Sequence, residues 1–141
     1  MPVMAPAPFP SHRPRRLRTT PALRDLVAET EVSVTDLVAP LFVRDGIDAP
    51  APITSLPGVS QHTVESLRRE VSELAELGIR GVMVFGVPAV KDATGSQSCA
   101  ADGIAQRAIA ALRADVGDDV VIIADTCVDE YTDHGHCGIV D

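Results

Sequence analysis

The segment 125–138, DTCVDEYTDHGHCG, gathers the side chains of this sequence that are best suited to bind a metal. Its candidate ligands are cysteines, histidines and acids: Cys127, Cys137, His134, His136, Asp125, Asp129, Glu130 and Asp133. Zinc accepts thiolate, imidazole and carboxylate, usually three or four to a site. In an extended segment Cys127 and Asp129 point to the same side, and a turn around Gly135 would return Cys137 to them. Because the spacing matches no paired C-x-x-C motif, a polar surface loop remains the alternative.

Apolar strands and amphipathic helices alternate ahead of this segment and must position it. The strands are predicted at 37–43, 81–87 and 120–124, and the helices at 20–29, 62–77 and 102–114. Thr20 and Pro21 form an N-cap and a first helical position. The third strand is uniformly apolar, which is typical of parallel strands buried on both faces. Parallel α/β folds place their sites at the carboxyl ends of strands, where segment 125–138 begins.

The sequence also predicts which helix residues face inward and where the loops lie. Residues expected to face inward from the second and third helices are Val64, Leu67, Val71, Leu74, Leu77, Ile104, Ala108, Ile109 and Leu112. Gly78 stands where the second helix would stop. Pro40 argues against a central position for the first strand. Residues 45–60 are predicted to be a loop, and Lys91 and Asp92 a solvated pair in another.

Strands and helices alternate strictly, with a period of about forty residues, and this alternation predicts βαβ crossovers and a parallel sheet. An eight-fold barrel takes about 250 residues, so about three βα units fit in 141. Either the chain is a small open α/β sheet, or it is the first part of a larger barrel. The domain prediction is a flexible Pro/Arg-rich arm at 1–18 and a partial α/β barrel domain at 19–141.

Composition excludes several functional classes. The formal net charge is −8, and five of the twelve basic residues precede the first acid, Asp25. Such an acidic body argues against nucleic acid as a partner, because phosphate binding needs clustered Lys and Arg. The longest uncharged apolar run, 81–90, is about half of a membrane span, and the N-terminus does not fit a secretory signal. Three cysteines without a signal predict reduced thiols in the cytoplasm.

Several motifs together resemble the porphobilinogen synthase family, also called δ-aminolevulinic acid dehydratases. They are 15–24 (RRLRTTPALR), 37–43 (LVAPLFV), 55–59 (SLPGV), 86–88 (GVP) and 125–138. The resemblance implies the N-terminal part of a TIM-type (α/β)8 barrel preceded by an extended arm. It also implies a lyase (hydro-lyase) that condenses two 5-aminolevulinate molecules to porphobilinogen in haem and tetrapyrrole biosynthesis. The expected assembly is a homo-octamer held through the N-terminal arm, without nucleic acid or membrane.

The resemblance also implies roles for individual residues. Cys127 and Cys137 match two cysteines of the family's zinc triad, and Asp129 stands where a third cysteine is common. Zinc is therefore the expected metal, with magnesium as the alternative. Asp125 matches an active-site aspartate, and His136 would orient a ligand or water.

The resemblance places two Schiff-base lysines beyond residue 141, whereas the only lysine here is Lys91. The chain therefore resembles roughly the first 40% of such an enzyme and is expected to be inactive alone. Two alternatives remain open. One is a non-catalytic module that binds zinc or pairs with subunits, and the other is an independent small metal-binding α/β domain.

Overall fold

The computed structural model describes residues 15–138, and the chain divides into two compact units, Met1–Val32 and Ser33–Asp141. In the first unit a 3₁₀ turn, Arg16–Arg18, precedes helix α1, Pro21–Leu26. The Thr20 side chain accepts a hydrogen bond from the Leu23 amide and Pro21 opens the helix, as predicted. The helix ends at Leu26 rather than at 29 and buries no residue, so no packing extends it. Most of the predicted arm, residues 1–14, lies outside the described residues.

The second unit is built on one sheet with the strand order β2-β3-β1-β4-β5. Its strands are β1 (Val38–Arg44), β2 (Ala51–Pro52), β3 (Ser60–His62), β4 (Gly81–Val87) and β5 (Val121–Ala124). The predicted parallel arrangement is confirmed for β1, β4 and β5, which are neighbours in the sheet. Because their carboxyl ends meet at one edge of the sheet, the loops after β4 and β5 begin side by side.

The prediction of a plain loop at 45–60 was wrong. Strands β2 and β3 pair antiparallel there, and β3 also pairs parallel with β1 through Phe42 and Val43. Both strands are too short to show an alternating pattern, so only their tertiary pairing defines them. The short β3 also explains how β1 can contain Pro40 although it lies inside the sheet. Strand β3 pairs only with Phe42 and Val43, so Pro40 has β4 as its only neighbouring strand.

Helices α2 (Val64–Glu76) and α3 (Ile104–Val116) pack together over one face of the sheet. Thr63 caps α2 by accepting a hydrogen bond from the Ser66 amide, and Gly78 follows the helix with φ +93°. The buried core joins the strands to both helices: Leu41, Val43, Leu67, Val71, Val82, Val84, Ile104, Ala108, Leu112 and Val120. The prediction that Leu77 faces inward was wrong, because this residue is the C-cap of α2 and is 71% exposed.

The opposite face of the sheet carries a second apolar layer. Phe42 and Phe85 are register partners on β1 and β4, and their rings stack with centroids 5.0 Å apart. Strand β5 stands at the edge of the sheet, and its Val121 is 61% exposed. The expectation that this strand is buried on both faces was therefore wrong for the described residues. Within residues 15–138, no helix is long and apolar enough to cross a membrane.

Replacing Leu112 by Ala tests the position of the core. Leu112 is fully buried between α3 and the sheet, so the free energy of unfolding should fall by about 2–5 kcal/mol. Leu77→Ala is the matched control, because the same substitution at an exposed position removes little burial and should leave stability within about 0.5 kcal/mol. Chemical denaturation of both variants measures the difference, and equal losses would contradict this core.

Candidate metal centre

The candidate site begins where β5 ends. The Asp125 amide donates to the carbonyl of Val84 at 3.1 Å, which extends the pairing of β5 with β4 by one residue. The chain then turns, and the amides of Tyr131 and Thr132 both donate to the carbonyl of Val128, at 2.9 and 3.1 Å. This turn reverses the segment and directs its second half back toward the first.

The structure brings together the three residues predicted as metal ligands. The Sγ atoms of Cys127 and Cys137 and a carboxylate oxygen of Asp129 all lie within 4.8 Å of one another. Cys127 and Asp129 are half-buried and Cys137 is exposed. In a tetrahedral zinc site with Zn–S bonds of about 2.3 Å, two sulfurs lie about 3.8 Å apart, so a small contraction would let these donors bind one ion. Two thiolates and one carboxylate suit zinc, whose fourth ligand in catalytic sites is water or substrate.

The two histidines of the segment are not part of this group. The rings of His134 and His136 stack with centroids 5.6 Å apart. His134 Nε2 lies 3.2 Å from the Ala93 carbonyl, and the His136 amide donates to His134 Nδ1 at 3.2 Å. Both nitrogens of His134 thus have partners in the protein. The role predicted for His136 beside a ligand stays a prediction, supported by its place next to Cys137.

Acidic neighbours shift the protonation of this site. The carboxylate of Asp129, followed by the thiol of Cys137, raises the pKa of Cys127 to about 11. Without metal this thiol is therefore protonated at neutral pH, and metal binding would release its proton. Burial raises the pKa of Glu130, which Lys91 partly opposes, and burial also raises the pKa of Tyr131.

The loop between β4 and α3, residues 88–103, contacts the ligand segment, residues 125–138, and helps to hold it in place. Asp92 exchanges backbone hydrogen bonds with it: the Asp92 amide donates to Tyr131 and the Asp133 amide donates to Asp92, at 3.4 and 3.2 Å. The Asp92 carboxylate accepts from Thr94 and Ser96, including both amides, at 2.9 and 3.1 Å. These hydrogen bonds lower its pKa well below the usual range. Lys91 is exposed and Asp92 is half-buried, and the Asp92 carboxylate is also hydrogen-bonded within its own loop.

Tyr131 connects the ligand segment to the sheet through Gly86. A Cβ at Gly86 would lie 2.5 Å from the Tyr131 hydroxyl and 2.8 Å from the Cβ of Ala105 on α3. Only a residue without a side chain lets both groups approach the strand this closely. Tyr131 is accordingly buried, and it fixes the middle of the segment against the fold.

Asp125, the predicted catalytic residue, is half-buried and lines a cavity of about 360 Å³ between α3 and the ligand segment. Cys127 and Cys99 line the same cavity, Cys99 from the 3₁₀ turn Ser96–Cys99. A larger open cleft of about 590 Å³ lies on the far side of α2 and α3. Its central feature is a bidentate pair between Arg68 and Asp115, and none of the predicted site residues line it.

The family of this chain follows from comparison with known proteins. The sequence model of the family described as delta-aminolevulinic acid dehydratase matches residues 11–141. The chain belongs to this family. Its resemblance to the family, inferred from the motifs of the sequence, is thereby confirmed.

Similar proteins carry the same description. Delta-aminolevulinic acid dehydratases of Mycobacterium leprae and Streptomyces coelicolor are 53% and 50% identical over 98% and 94% of this chain. The chain spans 43% and 41% of their lengths. A crystal structure of the Toxoplasma gondii enzyme, in complex with the reaction product porphobilinogen, matches 92% of this chain with a TM-score of 0.82 and 39% identity. The match covers 37% of that chain and confirms the predicted fold class, the first units of an α/β barrel.

Residues that support the ligands were harder to predict than the ligands. Asp92 and Thr132 pair through the backbones of two loops about forty residues apart in sequence, and Gly86 on β4 leaves room for the Tyr131 side chain. A local signal existed for Asp92, because Asp-Ala-Thr-Gly-Ser is typical of a turn in which an aspartate accepts hydrogen bonds from following amides. No local pattern indicates that Thr132 is buried.

Gly86→Ala should destabilise the protein and displace Tyr131. The added methyl group would overlap the Tyr131 hydroxyl and Ala105, and overpacking of this kind costs about 1–3 kcal/mol. Gly138→Ala is the control, since a Cβ at Gly138 meets nothing within 4 Å and its φ is not positive. Denaturation gives the stability of each variant, and tyrosine fluorescence reports on Tyr131, which is the only tyrosine. Equal stability of both variants would contradict the close approach.

Proposed function

We propose that this chain forms the metal-binding part of a porphobilinogen synthase, a lyase that condenses two 5-aminolevulinate molecules to porphobilinogen. The observation that carries the proposal is the group of donor atoms from Cys127, Asp129 and Cys137, at the carboxyl end of a barrel strand, in a member of the delta-aminolevulinic acid dehydratase family. The porphobilinogen bound to the Toxoplasma gondii relative supports the choice of substrate and product.

In this proposal Cys127, Asp129 and Cys137 hold zinc. Soft thiolates favour zinc over magnesium, which prefers oxygen ligands, and the single carboxylate weakens the site relative to three cysteines. Bound zinc would supply Lewis acidity toward a substrate carbonyl or amino group at its fourth position. The two half-buried ligands, Cys127 and Asp129, fix one side of the site, and the exposed Cys137 closes the other.

Asp125 is the proposed catalytic residue. It follows the last residue of β5 and is fixed to β4 through its amide, so its backbone is rigidly placed two residues before the first ligand. Its carboxylate oxygens suit two tasks, to hold a protonated substrate amine by charge and to relay a proton between reacting groups. Both tasks need the group to sit beside the metal ligands, and Asp125 and Cys127 share the lining of one cavity.

The assembly and the location of the protein are proposed from the family resemblance and from the chemistry of the thiols. The family resemblance favours a homo-octamer in which the arm, residues 1–18, embraces a neighbouring subunit. A cytoplasmic location suits the thiols of Cys127 and Cys137, which must stay reduced to bind a metal.

A second candidate, a metal-binding or subunit-pairing module without catalysis, is favoured by one observation. Schiff-base chemistry needs a lysine whose amine is desolvated or close to another cation. The only lysine of the chain, Lys91, is exposed in the loop after β4 and has the acidic Glu130 nearby. The 141-residue polypeptide would then bind metal without turning over substrate.

Zinc titration with single substitutions tests the ligand assignment. Cys137→Ala should weaken zinc binding by more than the roughly 10–100-fold that changes behind the ligands cost, because a ligand is lost. Asp129→Cys should bind more tightly, since it restores a third thiolate. Cys99→Ala is the matched control, a third cysteine outside the donor group, and should bind like the parent. If Cys137→Ala also binds like the parent, the site lies elsewhere.

The isolated 141-residue polypeptide should not form porphobilinogen. Its one lysine, Lys91, lies in a solvated loop that does not favour an unprotonated amine. Incubation with 5-aminolevulinate and zinc, followed by colorimetric detection of the pyrrole, measures turnover. Pyrrole formation that disappears in Lys91→Ala would overturn both this expectation and the proposed division of roles.

A further inference from the structure

One ligand of the proposed metal site, Cys137, is separated along the chain from the other two. Cys137 is eight residues beyond Asp129 and is exposed, whereas the other two donors are half-buried close to the end of β5. An exposed side chain at the end of a loop loses conformational entropy when it binds a metal. Contacts that fix the peptide ahead of Cys137 would reduce this cost and raise metal affinity.

Both backbone polar groups of His136, the residue before Cys137, are fixed by other residues. Its carbonyl accepts from the Thr132 hydroxyl at 2.9 Å, and its amide donates to His134 Nδ1 at 3.2 Å. The Thr132 hydroxyl also lies 3.3 Å from the carbonyl of Asp129, a second ligand residue. A hydroxyl has one proton, and the shorter contact assigns it to His136. Thr132 therefore links the beginning of the loop, at Asp129, to its end, at His136.

Thr132 and His134 are themselves held by the loop after β4. Thr132 is 2% exposed, pairs with Asp92 in an isolated β-bridge, and would lie 3.4 Å from a Cβ at Gly95. His134 Nε2 lies 3.2 Å from the Ala93 carbonyl, so this nitrogen carries the proton and leaves Nδ1 free to accept from His136. The contacts on His136 thus connect, through Thr132 and His134, to the loop that follows β4.

We propose that Thr132 and His134 are positioning residues for the metal centre, which fix the His136 peptide so that Cys137 meets Cys127 and Asp129. This inference rests on the proposed metal site and adds two residues that do not bind the metal. Thr132 acts through its hydroxyl and His134 through its two ring nitrogens. Neither residue belongs to the hydrophobic core of the sheet, which lies among β1, β4, α2 and α3.

The test compares substitutions that remove one contact and keep the shape. Thr132→Val loses the hydroxyl but preserves the volume, and zinc affinity should fall by about 10–100-fold. Thr132→Ser restores the hydroxyl and should recover most of the affinity. His134→Ala should weaken binding similarly, and His134→Asn should recover part of it, because an Asn side chain can accept from the amide two residues ahead. Val90→Ala, an exposed apolar change in the same loop after β4, is the control.

A chelator competition on the full chain measures zinc affinity, and the thiolate-to-metal absorption of the cobalt-loaded protein reports whether Cys137 is bound. Weaker thiolate absorption in Thr132→Val and His134→Ala, with thermal unfolding of the metal-free protein unchanged, would support positioning. Parent-like zinc affinity and absorption in both variants would overturn it. If Thr132→Val does not fold, His134→Ala decides, since His134 is exposed.

Cys137→Ser separates this inference from the proposed function. If the parent binds no zinc, or binds it equally well after Cys137→Ser, the metal site itself is wrong and the inference fails with it. If Cys137→Ser weakens binding while Thr132→Val and His134→Ala do not, the metal site stands and only the positioning role is overturned.

Discussion

The parallel pairing of β5 with β4 is the constraint on which the rest of the site depends. Their register, from Gly81–Val121 to Val84–Ala124, makes both strands point the same way, so the chain leaves them at one edge of the sheet. Asp125 continues that pairing by one hydrogen bond before the ligand segment turns away. The loops after the two strands start as neighbours, and every contact between them follows from this geometry. Antiparallel pairing would send the two loops to opposite edges.

Two kinds of interaction hold the site in place, apolar burial and backbone hydrogen bonds. Apolar burial fixes the sheet and helices, with Leu67, Val84 and Leu112 almost fully inaccessible to solvent. The ligand segment buries little apolar surface beyond Tyr131, so backbone hydrogen bonds with the loop after β4 hold it instead. Core packing is strong and insensitive to direction, whereas hydrogen bonds are weaker and directional. Directional contacts are what a metal site needs, because its donor atoms must meet at set distances.

The charge of the site favours a cation. Asp125, Asp129, Glu130 and Asp133 lie within one short segment, and Lys91 is the single lysine of the whole chain. A hydrogen bond with Asp129 is the main cause of the raised pKa of Cys127 and burial is the main cause for Glu130, and the negative charge of Asp129 adds to both. Metal binding would relieve this repulsion, and two thiols among the acids direct the preference toward zinc rather than calcium or magnesium.

The main elements can be located from the sequence alone, because their signals are local. Alternating apolar runs and helical periodicity located β1, β4, β5, α2 and α3 to within a few residues, and the family motifs identified the same three candidate ligands that the structure groups. Tertiary structure decided what depends on residues far apart in sequence. It paired the short strands β2 and β3, left Leu77 and Val121 exposed at a helix end and a sheet edge, and joined Asp92 to the ligand segment. It also buried Thr132, whose hydroxyl acts on His136 only after the loop has closed. Periodicity reports which face of an element avoids water, but the partner of a loop hydrogen bond is set by the fold that brings the two loops together.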